Sequence, residues 1–162
     1  MPDKMPSLVH LRPALKEDCR RIWQWRNQST SRKGSFNTHE LDYQEHERWF
    51  LTKLADPRSR IFIVTNLRGR EVGYLRLDIM GQEAEISIAL DDGQMGKGYG
   101  AAAIRAGADH ALTVEHVCRV VARVRRDNPA SVAAFSRAGF ALRGYVRTGN
   151  IEACEMIRDV NG

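Results

Sequence analysis

Three stretches in the middle of the chain alternate apolar and polar side chains with the period of a β-strand. Residues 60–65, 72–79 and 84–90 are rich in Ile, Val and Leu, and short polar segments separate them. Segments of that length fit hairpin turns better than crossovers. The pattern predicts an antiparallel meander of three strands.

The chain before the meander changes between extended and helical patterns. Residues 9–12 alternate as a short strand that Pro13 ends, and residues 16–27 place tryptophans and an isoleucine within a charged helical pattern. Residues 28–38 are polar and rich in turn formers, which predicts a mobile loop, and residues 43–55 form the next helical pattern. We therefore expect strand, helix, loop and helix in this order.

The chain after the meander alternates between helix and strand. Residues 96–112 predict an alanine-rich helix, residues 116–124 a strand and residues 129–138 a helix, and two short strands end the chain. A strand–helix–strand connection within one sheet requires a parallel strand pair. The predicted fold class is α/β, of the α+β kind, with a mixed, largely antiparallel sheet of about seven strands flanked by helices.

The composition is that of one soluble domain, because 43% of the residues are hydrophobic and 28% are charged. We expect this domain to span residues 8–158, with flexible termini at 1–7 and 159–162. The chain has no apolar run of membrane-spanning length and no secretory signal, so we expect no membrane association and a cytoplasmic location. Three scattered cysteines predict neither a disulfide framework nor a metal site.

The charge is mildly basic, with 25 Lys and Arg against 20 Asp and Glu. The basic residues are dispersed and follow no nucleic-acid-binding motif, so we expect no nucleic-acid partner. A phosphorylated cofactor would use the same positive charge. The sequence leaves the oligomeric state open, including a homodimer.

A glycine-rich segment, Met95-Gly-Lys-Gly-Tyr-Gly100, directly follows a predicted strand and opens a predicted helix. Residues without a β-carbon let the backbone approach a phosphate, and the unpaired amides of a helix start favour an anion. The spacing is neither that of a Walker loop nor that of a Rossmann fingerprint. The alternative is a flexible turn, but the context favours a diphosphate-binding loop.

This segment resembles the cofactor loop of the GNAT acetyltransferases, Gln/Arg-x-x-Gly-x-Gly/Ala, with Met95 in place of Gln or Arg. A second family segment, Asn-x-x-Ser/Ala-x-x-x-Tyr-x-Lys/Arg-x-Gly-Phe, is matched by residues 128–140, with Phe135 in place of Tyr. The resemblance implies a GNAT fold whose fourth and fifth strands are parallel and splayed, with acetyl-CoA as cofactor and its pantetheine on the fourth strand. It assigns these residues to cofactor binding: Ile88, Ala89, Leu90, Met95, Gly96, Lys97, Gly98, Tyr99, Gly100, Ala101, Asn128, Ser131, Phe135 and Arg137.

Two N-terminal motifs, Trp25-Arg-Asn27 and Glu45-His-x-x-Trp-Phe50, resemble the branch that acetylates amines on nucleotide-linked sugars, such as the N-acetyltransferase of the pseudaminic acid pathway. This resemblance predicts a small-molecule amine as partner, bound by four polar residues: Arg26, Asn27, His46 and Arg76. In the alternative interpretation the aromatic residues are core, Arg26 is a solvated helix-end cation and His46 lies on the surface.

Glu85 is the candidate general base, because glutamates in similar Ala-Glu-Ile segments of GNAT enzymes accept the proton of the amine. It shares a strand face with Ser87 and Ala89. The alternative is an exposed carboxylate or a cross-strand partner of Arg76. Since Phe135 has no acidic proton, the leaving thiolate would be protonated by Tyr145, Ser136 or water, or would leave unassisted.

The predicted function is therefore acetyl transfer to a primary amine by direct attack, without a covalent acetyl-enzyme. One alternative is an acetyltransferase of protein N-termini, including those of ribosomal proteins. Another is an acyl-CoA-binding module without activity, in keeping with the departures at Met95 and Phe135.

Overall fold

The computed structural model describes residues 7–161, and its strands form one seven-stranded sheet in the order β1-β2-β3-β4-β5-β7-β6. The strands are β1 Val9–Pro13, β2 Ser59–Asn66, β3 Glu71–Met80, β4 Glu83–Leu90, β5 Arg119–Arg125, β6 Ala141–Thr148 and β7 Ile151–Asp159. The helices are α1 Cys19–Asn27, α2 Ser29–Gly34, α3 Tyr43–Ala55, α4 Tyr99–Thr113 and α5 Pro129–Arg137.

All neighbouring strands pair antiparallel except β4 and β5, which are parallel. Their pairing covers only residues 83–85 of β4 against 119–121 of β5, and no later pair joins the two strands within residues 7–161. The strands diverge from there toward their C-terminal ends. The predicted fold class and the splayed parallel pair are confirmed.

Each face of the sheet carries its own hydrophobic core. On one face α4 and α5 cover buried side chains that include Leu75, Ile86 and Val120, and on the other α1 and α3 cover a second cluster that includes Ile63 and Tyr74. Strand alternation divides the residues between the two clusters, because successive side chains point to opposite faces. The region where β4 and β5 separate therefore lies between two rigid layers.

Several predicted boundaries are corrected. Residues 29–34 form α2 rather than a loop, α4 begins at Tyr99 rather than at 96, and the two final strands are 8 and 9 residues long rather than short. The segment predicted to be flexible from 159 onward begins too early, because Asp159 ends β7 and forms an ion pair with Arg119 at 2.6 Å. Residues 1–6 and 162 lie outside the described residues.

No helix between residues 7 and 161 is long and apolar enough to cross a membrane.

Candidate active site

The glycine loop forms a backbone cradle at the start of α4. Gly96 and Gly98 have φ angles of +75° and +83°, in the left-handed region that favours glycine, and Gly98 is the N-cap of α4. The backbone amides of residues 96–101 have no hydrogen-bond acceptor within the described part of the chain. Such a row of free amides at a helix start can accept an anionic group.

The cradle lies against the open end of β4. A β-carbon at Gly100 would lie 3.5 Å from Leu90 Cδ1 and 3.9 Å from Ala134 Cβ, so the loop, β4 and α5 meet there. Beyond residue 85, one edge of β4 faces the gap to β5, and alternate backbone groups along an edge point outward. Ile88, Ala89 and Leu90 therefore offer an unpaired strand edge beside the cradle.

Gly73 sets the position of that strand edge. A β-carbon at this residue would lie 2.4 Å from the carbonyl oxygen of Ala89 and 2.9 Å from Leu90 Cα, closer than real contacts allow. Only glycine lets β3 approach the end of β4 this closely. No local pattern in the sequence indicates this contact, because it depends on strand register.

The side chains of the loop point in different directions. Met95 is exposed, whereas the preceding Gln94 is buried and its Oε1 accepts a hydrogen bond from Lys97 Nζ at 3.3 Å. With methionine at position 95, the loop would hold an anion by backbone amides and by Lys97, without a side-chain amide or guanidinium at that position. The cradle itself does not depend on the residue at position 95.

In the second motif, two predicted cofactor residues form the N-terminal cap of α5. Asn128 is the N-cap of α5, and its Oδ1 accepts from the amide of Ser131 at 3.3 Å. Phe135 is 3% exposed and packs edge-to-face on Phe140, with ring centroids 5.2 Å apart. Its ring is thus a core group, while Arg137, at the end of α5, is exposed.

Tyr145 and Ser136, the two side chains considered as proton donors to the leaving thiolate, lie in different surroundings. Tyr145 is exposed on the edge strand β6, with the Arg126 guanidinium 4.3 Å above its ring, and Ser136 is exposed on α5. Tyr145 pairs in register with Cys154, a residue of the α4 and α5 core, whereas Glu85 lies on the opposite face. The structure does not bring Tyr145 together with Glu85.

Glu85 lies on the sheet face that α1 and α3 partly cover. It pairs in register with Asp78, and its Oε2 is 3.7 Å from Arg123 Nη1. The alternative interpretation of Glu85 as a partner of Arg76 does not hold, because Arg76 pairs with Ser87 and donates from Nε to Asp78 at 2.8 Å. Sequence reasoning missed Arg123, whose place depends on the short parallel register of β4 and β5.

The Trp-Arg-Asn motif has three different roles at the end of α1. Trp25 is fully buried, and Asn27 Oδ1 accepts from the amide of Leu41 at 2.9 Å, which fastens the segment before α3. Arg26 Nη1 lies 3.1 Å from His46 Nδ1, and His46 is only 2% exposed. His46 therefore contacts Arg26 and has almost no surface of its own to offer a ligand.

Two arginines contact the half-buried indole of Trp49, and one of them shares a carboxylate, Asp78, with Lys53. The guanidinium carbons of Arg26 and Arg76 lie 4.0 and 5.0 Å from the centre of its ring. Asp78 accepts from both Arg76 and Lys53, whereas Arg26 forms no ion pair with any carboxylate between residues 7 and 161. We call these five residues the Trp49 cluster, which carries an excess of positive charge.

Burial lowers the pKa of Arg26, and the nearby Arg76 adds to the effect. An arginine nevertheless stays protonated in proteins. Burial raises the pKa of Asp78, but Arg76 and Lys53 lower it by more, so the net pKa of this carboxyl lies below its ordinary value. The cluster therefore holds one ionised carboxylate and three cations.

Residues 28–35 bridge the gap between the diverging strands. At one end Gln28 Nε2 donates to Asp91 Oδ1 at 3.3 Å, just after β4, and Gln28 Oε1 accepts from the amide of Asp92 at 3.0 Å. At the other end the carbonyl of Ser35 accepts from Nη1 of Arg125, the last residue of β5, at 3.0 Å. The bridge thus fixes the mouth of the gap on both sides.

The comparison with protein families shows which family the chain belongs to. The sequence model described as the acetyltransferase (GNAT) domain matches residues 9–141. The chain belongs to the GNAT acetyltransferase family. This membership confirms the predicted N-acetyltransferase class and the prediction of acetyl-CoA as its cofactor.

Solved structures with the same fold include two kinds of amine acetyltransferase. Spermidine N-acetyltransferase from Vibrio cholerae, in complex with CoA and spermine, has a TM-score of 0.84 and 20% identity, and the match covers 95% of this GNAT domain and 96% of that chain. Aminoglycoside acetyltransferase AAC(6')-Ib, in complex with paromomycin and acetyl-CoA, has a TM-score of 0.83 and 20% identity, with 93% of each chain covered. No curated protein matches the sequence.

Neither structure is an enzyme of nucleotide-linked sugars, so the comparisons give no support to the finer resemblance to the pseudaminic acid pathway.

Proposed function

We propose that this GNAT domain transfers the acetyl group of acetyl-CoA to the primary amine of a small acceptor that also carries an anionic group, as a nucleotide-linked amino sugar does. The observation that carries the proposal is the Trp49 cluster, in which Arg26 has no carboxylate partner. Arginine binds phosphate and carboxylate groups with paired donors, and no carboxylate between residues 7 and 161 neutralises the charge of Arg26.

The cradle and the strand edge fit the cofactor. When bound, acetyl-CoA supplies an acetyl group activated as a thioester. The free amides of residues 96–101 would hold its pyrophosphate, and the open edge of Ile88, Ala89 and Leu90 would hold its pantetheine by strand-like hydrogen bonds. Lys97 and Arg137 would add positive charge around its phosphates.

Glu85 would accept the proton that the amine loses when it attacks the carbonyl carbon. Its carboxylate lies on the same sheet face as Arg76, on the neighbouring strand, and directly opposite Asp78. Side chains that face each other across strands lie about 5 Å apart, and diagonal neighbours lie about 7–8 Å apart. An acceptor of sugar size would thus reach Glu85 with its amine and the Trp49 cluster with its anion.

The charge of the cluster argues against a polycationic acceptor. Spermine and aminoglycosides, which the structural neighbours bind, would bring several positive charges toward three cations, of which only Arg76 and Lys53 pair with a carboxylate. Like charges brought together in a binding site are unfavourable by several kcal/mol. This difference in charge is the reason to prefer the anionic acceptor although the fold is shared.

The test is a panel of acceptors assayed by thiol release at a fixed acetyl-CoA concentration. Glucosamine 6-phosphate and UDP-glucosamine are compared with glucosamine, which has the same amine without the phosphate. We expect a preference of about 10- to 100-fold in kcat/KM for the phosphorylated forms, the range of one charge-assisted hydrogen bond, and a loss of that preference in Arg26→Gln. The preference should weaken at high salt.

Other outcomes would decide for the alternatives. Faster turnover of spermidine or kanamycin would overturn the anionic acceptor and favour a polyamine or aminoglycoside enzyme. Turnover confined to peptides would favour an acetyltransferase of protein N-termini. Acetyl-CoA binding without turnover on the whole panel would indicate a binding module. The cytoplasmic location and a homodimer stay predictions, the second of which sedimentation analysis would measure.

A further inference from the structure

His46 is almost completely enclosed between α1 and α3, and both of its ring nitrogens are engaged. Its Nε2 lies 2.9 Å from the carbonyl oxygen of Cys19, and its Nδ1 lies 3.1 Å from Arg26 Nη1. The ring stacks on Phe50, with centroids 6.0 Å apart and planes inclined by 18°. Asp42 caps the start of α3 by accepting from the Glu45 amide, which fixes the turn that carries His46.

The two partners determine which nitrogen holds the proton. A carbonyl oxygen can only accept a hydrogen bond and a guanidinium can only donate one. Nε2 must therefore carry the hydrogen and Nδ1 must accept from Arg26, which requires the neutral ring. A doubly protonated ring would turn a second donor, and a second positive charge, toward Arg26.

Neutral His46 leaves the positive charge of Arg26 intact, which a carboxylate partner would not do. A glutamate at this place would orient Arg26 but would also neutralise its charge, as Asp78 does for Arg76. Neutral His46 orients one N–H of Arg26 and leaves its charge uncompensated. The cation–π contact with Trp49, at 4.0 Å from the ring centre, holds the guanidinium in place from another side without removing its charge.

We propose that His46 is a positioning residue that holds Arg26 in a fixed orientation as an uncompensated cation, and thereby sets the preference of the enzyme for anionic acceptors without contacting the acceptor. This inference rests on the proposed function, in which Arg26 binds the anionic group. It replaces the expectation that His46 itself binds the acceptor.

The test compares two substitutions that separate orientation from charge. In His46→Gln, the amide oxygen can accept from Arg26 while the NH2 group donates to Cys19, so orientation and charge are both kept. In His46→Glu, a carboxylate faces Arg26 and neutralises it. Gln44→Glu, on the exposed side of the same helix, is the matched control because it adds the same charge away from Arg26.

The quantities to measure are KM and kcat with glucosamine 6-phosphate and with glucosamine, and KM for acetyl-CoA. His46→Glu should raise KM for glucosamine 6-phosphate about tenfold or more, while its KM values for glucosamine and acetyl-CoA stay within about twofold of wild type. His46→Gln and Gln44→Glu should keep the wild-type preference. Equal losses with both acceptors in His46→Glu, or unchanged kinetics in a folded protein, would overturn the proposal.

Two further measurements distinguish a failure of the His46 proposal from a misfolded variant and from a failure of the proposed function. If His46→Glu does not fold, His46→Leu serves instead, because it removes the hydrogen-bond acceptor of Arg26 without adding a charge. This variant should also weaken the preference for the phosphorylated substrate, and an unchanged preference would contradict the proposal. Nitrogen NMR of the wild type at neutral pH should show the neutral ring with the proton on Nε2, and another state would overturn it. A wild type that does not prefer glucosamine 6-phosphate would refute the proposed function itself, while the NMR result would still decide the contact with Arg26.

Discussion

Glu85 lies between an acidic and a basic residue. Asp78 is its partner on β3, and Arg123 on β5 lies 3.7 Å from its carboxylate. If it accepts the proton of the amine, Glu85→Gln should lower kcat by about 100-fold or more, because a positioned general base contributes on that scale. The measurement is the pH–rate profile with one acceptor, in which the acid limb should also disappear.

Glu83→Gln is the control for this prediction. Glu83 lies two residues earlier on the same strand, faces the same side and lies 3.9 Å from an arginine, Arg119. It should keep wild-type turnover within about twofold, since a surface ion pair contributes little. If Glu85→Gln behaves like Glu83→Gln, then Glu85 is a structural strand carboxylate and water accepts the proton.

His46 makes folding stability depend on pH. Burial, with the nearby Arg26 adding to it, lowers the pKa of His46 against the opposing hydrogen bond to Cys19. The unfolded chain then binds a proton at a higher pH than the folded chain, so stability is complete above the unfolded value of about 6.5 and is lost as pH falls toward the lowered folded value. Urea unfolding between pH 7.5 and 5 should show this loss.

The comparison for the pH prediction is His46→Gln, which cannot titrate. The difference in free energy of unfolding between this variant and the wild type should change with pH only below about 6.5, and in favour of the variant. The other histidines and the carboxylates are common to both proteins and cancel. A difference that stays constant from pH 7.5 to 5 would mean that His46 is not held neutral in the folded state.

The sequence predicted residue types better than residue partners. The glycines were identified as candidates from their place between a strand and a helix, and Glu85 and Arg26 from the resemblance to GNAT enzymes. The partner of Glu85 was not, because Arg123 comes close only through a parallel register of three residues. His46 likewise looked like a surface or ligand-binding residue, since nothing in the spacing of α3 shows that the carbonyl of Cys19 closes over its ring.

At the scale of elements, the glycine loop and the start of α4 form the unit that should bind the cofactor. Gly98→Val should weaken acetyl-CoA binding at least about tenfold, because valine is strained at a φ of +83° and adds a branched side chain at the N-cap residue that forms the cradle. Isothermal titration measures this affinity without turnover.

Gly69→Val controls for backbone strain alone. Gly69 has nearly the same φ angle, +82°, with no atom within 4 Å of an added β-carbon, and it lies in the turn between β2 and β3. It should lose stability to a similar degree as Gly98→Val but keep the wild-type affinity for acetyl-CoA. Similar losses of affinity in both variants would mean that strain, and not the cradle, explains the effect.

The elements that local pattern determines were predicted well, and α3 was predicted with its observed bounds. Its start is capped by Asp42, a local signal that the sequence contains. Residues 28–38 lack an apolar stripe, so no pattern favoured a helix there. The bridge that contains α2 is held by contacts distant in sequence, of Gln28 with Asp91 and of Ser35 with Arg125.

At the scale of the whole molecule, the sheet consists of β1–β4 on one side and β5–β7 on the other, joined by one short parallel pair. Beyond this pair, the bridge of residues 28–35 connects the two sides through Asp91 and Arg125. A ligand that fills the gap adds contacts that only the folded state can make. Its binding should therefore stabilise the native fold.

Acetyl-CoA at about 100 times its dissociation constant should add about 2.7 kcal/mol to the free energy of unfolding. For a domain of this size that corresponds to a rise in Tm of roughly 5–11 °C, which differential scanning fluorimetry detects. With a tenfold weaker affinity, Gly98→Val should show about half of this rise at the same concentration, and less if the loss of affinity is larger, whereas Gly69→Val should show all of it.

Hydrogen exchange then locates the stabilisation. The free amides of residues 96–101, and those amides near Ile88, Ala89 and Leu90 that point into the gap, should become protected when acetyl-CoA binds, because they would gain acceptors that residues 7–161 do not supply. The strand pairs far from the gap, such as β1 with β2, should change little. A thermal shift accompanied by protection only elsewhere would mean that the cofactor does not enter between β4 and β5, and the assignment of both the cradle and the strand edge would then be wrong.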